Sequence, residues 1–262
     1  MEALTKIQWQ PDQKIKNVSI AVPGVRPTIL VTDDAPDTRL ILTRTLEFEN
    51  YGIIEASTGE EALNKAMVHQ PDLIILDLML PRINGFQVMK QLKDLGIGPK
   101  VCVISSTDNE KSIRQALDLG AADYIIKPVF PDAIIHKVKQ IIGEPIQNRF
   151  FELGCSLKGV LSQGNKSIEC RVKRISEVGL TLQTEGDLAD GEIVNLKCST
   201  LGRVTGRDSP IFARVVEKYP PVGVGRNFDV RLEIVAMPEP QRQKLRAEVI
   251  KGKFLFDEPN MN

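Results

Sequence analysis

Five short apolar runs, each followed by a segment with helical periodicity, constrain the fold more than any other feature of the chain. The runs lie at residues 28–31, 53–55, 73–76, 101–104 and 124–126, and the helical segments at 41–48, 60–68, 86–95, 110–119 and 131–142. Strands that are apolar on both faces are typical of a parallel sheet covered by helices. The sequence therefore predicts an α/β doubly wound domain with a five-stranded parallel sheet.

The second half has a different pattern, in which apolar and polar residues alternate. The alternation is seen at residues 168–173, 180–183, 194–198, 212–216 and 228–234. Period-two alternation is typical of antiparallel strands with one solvated face. About six such strands predict a small barrel or sandwich, of which we take the mostly antiparallel β-barrel. Pro238 to Ile250 predicts a C-terminal helix, with Leu245 and Val249 on one face.

These patterns divide the chain into an N-terminal arm (1–27), an α/β domain (28–142), a linker (143–149), a β-barrel domain (150–252) and a C-terminal tail (253–262). The arm is interpreted as either disordered or an added strand. The net charge is zero, but residues 28–143 hold 12 basic and 16 acidic side chains, and residues 144–262 hold 18 and 16. This asymmetry favours two modules with different tasks.

Composition excludes several other classes of protein. Hydrophobic residues make up 42% of the chain, too many for a disordered protein. No apolar run approaches the roughly 20 residues of a membrane helix, and we expect neither membrane insertion nor a secretory signal. The four cysteines have no Cys-x-x-Cys spacing, which argues against a zinc site and a disulfide scaffold. Buried thiols in a cytoplasmic protein are expected.

Polar side chains follow four of the five predicted strands. Asp33 and Asp34 follow the first, Asp77 the third, Ser105 the fourth and Lys127 the fifth. Because ligands of such sheets bind at the carboxyl ends of the strands, we expect these groups to converge on one crevice. The carboxylates suit Mg²⁺, and the hydroxyl and ammonium groups suit phosphate oxygens. Asp77 is then left as a nucleophile that would form an acyl phosphate.

Residues 28–142 resemble the receiver domain of bacterial two-component response regulators, and we expect a signalling protein and not an enzyme. The resemblance rests on Leu30–Asp34, Leu76–Pro81, Gly85, Ile104–Ser106 and Tyr124–Pro128. It implies a flavodoxin-like fold, a bacterial cytoplasmic location, and a sensor histidine kinase or phosphotransfer protein as partner.

The resemblance also assigns roles to individual residues. It implies that Asp77 is the phosphoacceptor. It also implies that Asp34, Asp77 and the main-chain carbonyl of Met79 are ligands of Mg²⁺, with Asp33 alongside, in contact with the ion either directly or through water. We interpret the turn before the third helix as one in which Asn84 or Gly85 adopts a positive φ.

Three further residues would bind the phosphoryl group or respond to it. The resemblance implies that Lys127 contacts this group, that Ser105 is the switch hydroxyl and that Tyr124 is the switch aromatic. Movement of Ser105 toward the phosphoryl group would let Tyr124 rotate inward, so that the face beside it changes shape. A cis peptide at Lys127–Pro128 is also implied.

The second half resembles a PilZ domain, a bacterial module often used to bind cyclic di-GMP. Arg174, Ser176 and Gly179 occupy the family's Asp/Asn-x-Ser-x-x-Gly stretch, with arginine at the acidic or asparagine position. Of the family's Arg-x-x-x-Arg, only Arg149 is present, since Leu153 stands at the second position. Those arginines would grip phosphates and guanine edges. We therefore expect that the domain does not bind the dinucleotide in the usual way.

Two hypotheses for the output follow. In the first, the barrel acts by binding an unknown downstream protein; in the second, it is a genuine cyclic di-GMP receptor that integrates two signals. No helix-turn-helix pattern is present, so we expect no direct DNA binding. The β half also lacks a nucleophile–base or metal constellation, which argues against an enzymatic output. A homodimer is a further candidate for the assembly of this protein.

Overall fold

A computed structural model describes residues 26–143, 152–163, 166–206, 210–219 and 227–252. The arm up to residue 25, the linker with Arg149 and the tail from residue 253 lie outside the described residues. The two predicted fold classes are both observed: a doubly wound α/β domain, then a closed β-barrel with a C-terminal helix.

The first domain alternates strands and helices throughout. Its strands are β1 (Thr28–Thr32), β2 (Gly52–Ala56), β3 (Leu73–Asp77), β4 (Lys100–Ser105) and β5 (Asp123–Ile126). Its helices are α1 (Pro36–Phe48), α2 (Gly59–His69), α3 (Gly85–Asp94), α4 (Glu110–Asp118) and α5 (Pro131–Ile142). All pairings are parallel, in the order β2-β1-β3-β4-β5. The order reverses at β1, which places the ligand crevice at the ends of β1 and β3.

The packing of the core explains why the strands of the α/β domain consist of continuous apolar residues in the sequence. Every residue of β3 is buried, because helices cover both faces of the sheet. One apolar cluster joins the sheet to α1 and α5, and a second joins it to α2, α3 and α4. Three of the five helices have a side-chain N-cap: Thr58 caps α2, Asn84 and Gln87 form a reciprocal capping box at α3, and Asn109 caps α4.

The second domain is a six-stranded closed barrel. Its elements are β6 (Leu153–Gln163), β7 (Lys166–Ile175), β8 (Gly179–Thr184), β9 (Ile193–Lys197), α6 (Ser199–Thr205), β10 (Ile211–Tyr219), β11 (Phe228–Val235) and α7 (Glu239–Lys251). The strands close in the order β10-β11-β8-β7-β6-β9, all antiparallel. Leu245 and Val249 of α7 pack into the barrel core, as the sequence pattern predicts.

Helix α6 was not among the sequence predictions. It has only two turns and carries a glycine at residue 202, so its periodic signal is weak. It ends at Gly206, whose φ of 71° suits a glycine. All four cysteine side chains are buried, in line with the sequence interpretation. Across the described ranges, no helix is long and apolar enough to cross a membrane.

Candidate functional site

Three carboxylates gather where β1 and β3 end. One oxygen each from Asp33, Asp34 and Asp77 lies within 4.8 Å of the others. Asp33 and Asp77 are buried, with 1% and 3% of their surface exposed, whereas Asp34 is exposed. A cluster with one open side fits a hard divalent cation that retains several waters, such as Mg²⁺. The sequence prediction that these residues meet is confirmed.

Lys127, which follows β5, reaches across to two of these carboxylates. Its Nζ lies 2.8 Å from Asp33 Oδ2 and 2.5 Å from Asp77 Oδ2. Burial alone would lower the pKa of Lys127, but the hydrogen bonds to both carboxylates outweigh it and raise that pKa. Burial raises the pKa of Asp33, against the opposing influence of Lys127. The Lys127–Pro128 peptide bond is cis, as the resemblance implies.

The backbone around Asp77 is closely packed. The Met79 N–H donates to Asp77 Oδ1 at 2.9 Å, while the Met79 side chain is exposed. A Cβ at Gly85 would lie 2.4 Å from the Asp77 carbonyl oxygen, so only glycine fits there. The positive-φ prediction was wrong: Asn84 has a φ of −73° because it caps α3, and Arg82 adopts the left-handed conformation, at 65°. Gly85 is needed for space, not for backbone freedom.

Ser105 and Tyr124 meet through a third residue, Thr107. Ser105 Oγ accepts a hydrogen bond from the Thr107 N–H at 3.2 Å, and the Tyr124 hydroxyl donates to the Thr107 carbonyl at 2.7 Å. Tyr124 is 1% exposed, so its ring is already turned inward in this structure. Burial raises the pKa of its hydroxyl. Sequence reasoning missed Thr107, because its main chain makes both contacts and leaves no side-chain signal.

The barrel residues singled out by sequence lie apart from the acidic crevice. Ser176 and Gly179 form a tight turn between β7 and β8, in which Ser176 Oγ accepts from the Gly179 N–H at 3.1 Å. A Cβ at Gly179 would lie 2.6 Å from the Leu232 carbonyl oxygen, which accounts for the glycine. Arg174 is exposed on β7. The structure therefore explains Ser176 and Gly179 by local packing.

Helix α7 holds the turn between β7 and β8 from outside the barrel. Arg242 donates to the Glu177 carbonyl at 2.6 Å, and Arg246 forms an ion pair with the Glu177 carboxylate. We call these two contacts the α7 clasp. Lys173, one of the basic residues beside the turn, pairs with Asp229 at 2.8 Å. Part of the basic character of this segment is therefore already neutralised.

The fold and the crevice define a class of protein, and comparisons with known proteins agree. Residues 29–139 match the family model of the response regulator receiver domain, and residues 147–251 match that of the PilZ domain. The response regulator ArlR of Staphylococcus aureus is 33% identical over 199 residues, which span 73% of this chain and 86% of ArlR. The chain belongs to the response regulator family. Its particular architecture is a receiver domain followed by a PilZ domain.

Other relatives match over less of their length. The transcriptional regulatory protein ResD of Bacillus subtilis is 34% identical over 157 residues, spanning 58% of this chain and 65% of ResD. PhoP of the same species is 41% identical over 114 residues, spanning 44% of this chain and 48% of PhoP. The chain thus spans about half to two thirds of these two relatives. Two-component signalling is implied by the family.

Proposed function

We propose that this protein is a phosphorylation-dependent signalling protein whose phosphoacceptor is Asp77. A sensor histidine kinase or phosphotransfer protein supplies the phosphoryl group from a phosphohistidine. The N–P bond of the donor breaks, an O–P bond forms at the Asp77 carboxylate, and the donor imidazole leaves with the electron pair. The product is an acyl phosphate.

The main support for this proposal is the set of contacts around the Asp77 carboxylate. One oxygen accepts the Met79 N–H and the other accepts Lys127 Nζ, so the carboxylate is oriented before a donor arrives. In the phosphorylated state we expect Lys127 to pair with a phosphoryl oxygen. Prior orientation lowers the entropic cost of reaching the reactive geometry.

The surrounding carboxylates fit a bound Mg²⁺. Asp33, Asp34 and Asp77 offer carboxylate oxygens of the kind this ion prefers. The Met79 carbonyl is the proposed third protein ligand beside Asp34 and Asp77, with Asp33 in contact either directly or through water. Mg²⁺ would neutralise charge on the incoming phosphoryl group. Without a cation, three carboxylates and a phosphoryl group in one crevice would repel each other.

Replacement of Asp77 by asparagine tests the proposal directly. We expect Asp77→Asn to lose labelling by acetyl phosphate in Mg²⁺, because the amide lacks the nucleophilic oxygen. Chelation of Mg²⁺ should have the same effect on the unsubstituted protein. Asp37→Asn, the same change at an exposed position in α1, is the matched control and should label normally. Continued labelling of Asp77→Asn would place the acceptor on another residue.

We further propose that the PilZ barrel acts by binding a downstream protein. Support comes from the family positions that would hold cyclic di-GMP. Arg174 replaces an acidic or asparagine residue, Leu153 replaces an arginine, and the α7 clasp occupies one side of the turn that contains Ser176. The alternative, a cyclic di-GMP receptor, has no comparable support in the described residues.

A further inference from the structure

The turn between β1 and α1, residues 33–35, carries two of the three crevice carboxylates, those of Asp33 and Asp34. Helix α1 begins directly after it, at Pro36, with Ala35 as the N-cap residue. Ala35 has no side chain that could accept from the first turn, whereas α2, α3 and α4 all have a side-chain cap. Because such a cap normally fixes the entry of the chain into a helix, this turn must be held by other contacts.

Asp33 is held at four points, two on its main chain and two on its carboxylate. Its N–H donates to the Ala56 carbonyl, at the end of β2, at 3.2 Å. Its Oδ1 accepts from the Ala35 N–H at 3.0 Å, and its Oδ2 accepts from Lys127 Nζ at 2.8 Å. Its carbonyl oxygen accepts from Arg39 Nη1 at 2.7 Å. Of these four partners, Arg39 is the only one that binds the Asp33 carbonyl with a side chain.

Arg39 thus binds the peptide group that joins Asp33 to Asp34. Rotation of this peptide group changes the φ of Asp34 and swings its carboxylate away from that of Asp77. A charge-assisted hydrogen bond to the Asp33 carbonyl opposes this rotation. The contact therefore sets the direction of the Asp34 carboxylate, although Arg39 itself lies in the second turn of α1.

The same guanidinium is anchored on the neighbouring strand β2. Arg39 Nε lies 3.1 Å from Glu55 Oε2, while Nη1 binds the turn. The main chain of Glu55 pairs with Val31 of β1, and its carbonyl accepts from Lys65 Nζ at 2.5 Å. Because a guanidinium is planar and rigid, a carboxylate that holds Nε also fixes the direction of Nη1. Glu55 therefore anchors Arg39 on a strand whose own position is fixed by the sheet.

The main effect of this ion pair is geometric. The side chains of Arg39 and Glu55 are 19% and 48% exposed, and ion pairs of this exposure contribute little to the free energy of unfolding. By its charge alone, Arg39 would repel a divalent cation in the crevice. Loss of Arg39 should therefore strengthen Mg²⁺ binding if its charge dominates, and weaken Mg²⁺ binding if its geometry dominates.

We propose that Arg39 is a positioning residue of the Mg²⁺ site, which holds the turn between β1 and α1 so that the Asp34 carboxylate faces the ion. This inference rests on the proposed function, in which Asp34, Asp77 and the Met79 carbonyl are ligands of Mg²⁺. Arg39 acts through the peptide group before Asp34 and not on the ion itself.

The test is a titration of the full chain with Mg²⁺ alone, followed by amide NMR shifts. We expect Arg39→Gln to weaken Mg²⁺ binding by about tenfold, a usual effect of removing a residue that orients a metal ligand. Arg39→Lys keeps the charge but has a single nitrogen, so the loss of affinity should be smaller. The matched control is Arg44→Gln, the same change at an exposed arginine of α1 that pairs with Glu47, and it should bind Mg²⁺ as the unsubstituted protein does.

The affinity of the folded protein for Mg²⁺ does not depend on its global stability, which separates positioning from a structural role. A lower melting temperature of Arg39→Gln in EDTA together with unchanged Mg²⁺ affinity would make Arg39 a structural residue and overturn the proposal. Tighter Mg²⁺ binding by Arg39→Gln would also overturn it, since charge would then outweigh geometry.

A second variant covers the case in which Arg39→Gln does not fold. Glu55→Gln leaves Arg39 in place and weakens its anchor, and it too should lower the affinity for Mg²⁺. Unchanged affinity in Glu55→Gln would then overturn the proposal. If the unsubstituted protein does not bind Mg²⁺ at all, the metal site of the proposed function is itself wrong. Equal binding by the variants and the unsubstituted protein would instead reject only the role of Arg39.

Discussion

At the scale of single residues, the crevice is an electrostatic balance between buried carboxylates and one ammonium group. Asp33 and Asp77 are both nearly inaccessible to water, and both contact Lys127. Removing one partner from a buried ionic group leaves the others without compensation. Lys127 therefore has two roles in the unphosphorylated state: it offsets repulsion within the crevice and it orients Asp77.

We expect Lys127→Ala to impair phosphorylation by acetyl phosphate while the domain remains folded, because the side chain lies in the crevice and not in the core. Stability should fall by about 1–3 kcal/mol, measured by urea unfolding. The control is Lys139→Ala, which removes a partly exposed ion pair with Glu49. It should lower the free energy of unfolding by less than Lys127→Ala does. Unfolding of Lys127→Ala at neutral pH would indicate a structural role for this lysine.

The loss of stability in Lys127→Ala should depend on pH in a definite direction. Lys127 favours the charged form of Asp33, so its removal should raise the already raised pKa of Asp33 further. A raised carboxyl pKa in the folded state adds stability at low pH, which is lost as the pH rises through that pKa. The stability difference between Lys127→Ala and the unsubstituted protein should therefore narrow on acidification.

At the scale of elements, α7 does more than close the barrel. Its apolar side enters the barrel core, and its arginines form the α7 clasp on the turn between β7 and β8. That turn contains the two family-motif residues that this chain retains, Ser176 and Gly179. A retained motif can thus be maintained by folding requirements alone, here a tight turn and a close approach to Leu232.

We expect calorimetric titration with cyclic di-GMP to show no binding at micromolar concentrations. The physical reason is the absence of the bidentate arginine pair that would hold its phosphates and guanines. The double variant Leu153→Arg and Arg174→Asn restores two family positions and should bind more tightly than the unsubstituted protein. Micromolar binding by the unsubstituted protein would favour the receptor hypothesis for the output.

At the scale of the whole molecule, the two domains share an apolar cluster and are not independent units. Phe212, Val235 and Ala236 of the barrel pack with residues of the α/β domain. A shared cluster couples the unfolding of the two domains, because unfolding of one domain exposes the apolar residues of the other to water.

Scanning calorimetry should therefore show one coupled unfolding transition for the unsubstituted protein. Phe212→Asp should separate this transition into two. The midpoint temperature of the first should fall by about 2–4 °C for each kcal/mol of coupling between the domains that is removed. Val216→Asp, at an exposed position of the same strand, should preserve the single transition. Two transitions in the unsubstituted protein would mean that the packing of Phe212, Val235 and Ala236 against the α/β domain contributes little to stability.

Much of this molecule is determined by local pattern in the sequence. Apolar runs with helical spacing between them predict the parallel sheet, and the residues after each strand predict that Asp33, Asp34, Asp77, Ser105 and Lys127 meet, because parallel strands end at one edge. Period-two alternation predicts the barrel strands. These features depend on neighbours within a few residues, and the sequence records them directly.

Tertiary structure alone decided the remainder. Arg82, not Asn84 or Gly85, takes the left-handed conformation, because Asn84 caps α3 and Gly85 must pass close to Asp77. Thr107 links Ser105 to Tyr124 through its main chain, which any residue except proline could supply. The sequence pattern identifies Phe212 and Val235 only as strand residues. Their burial against the α/β domain is evident only from the tertiary structure. Contacts between segments 79 to 93 residues apart depend on how two domains pack, and no short-range pattern encodes that packing.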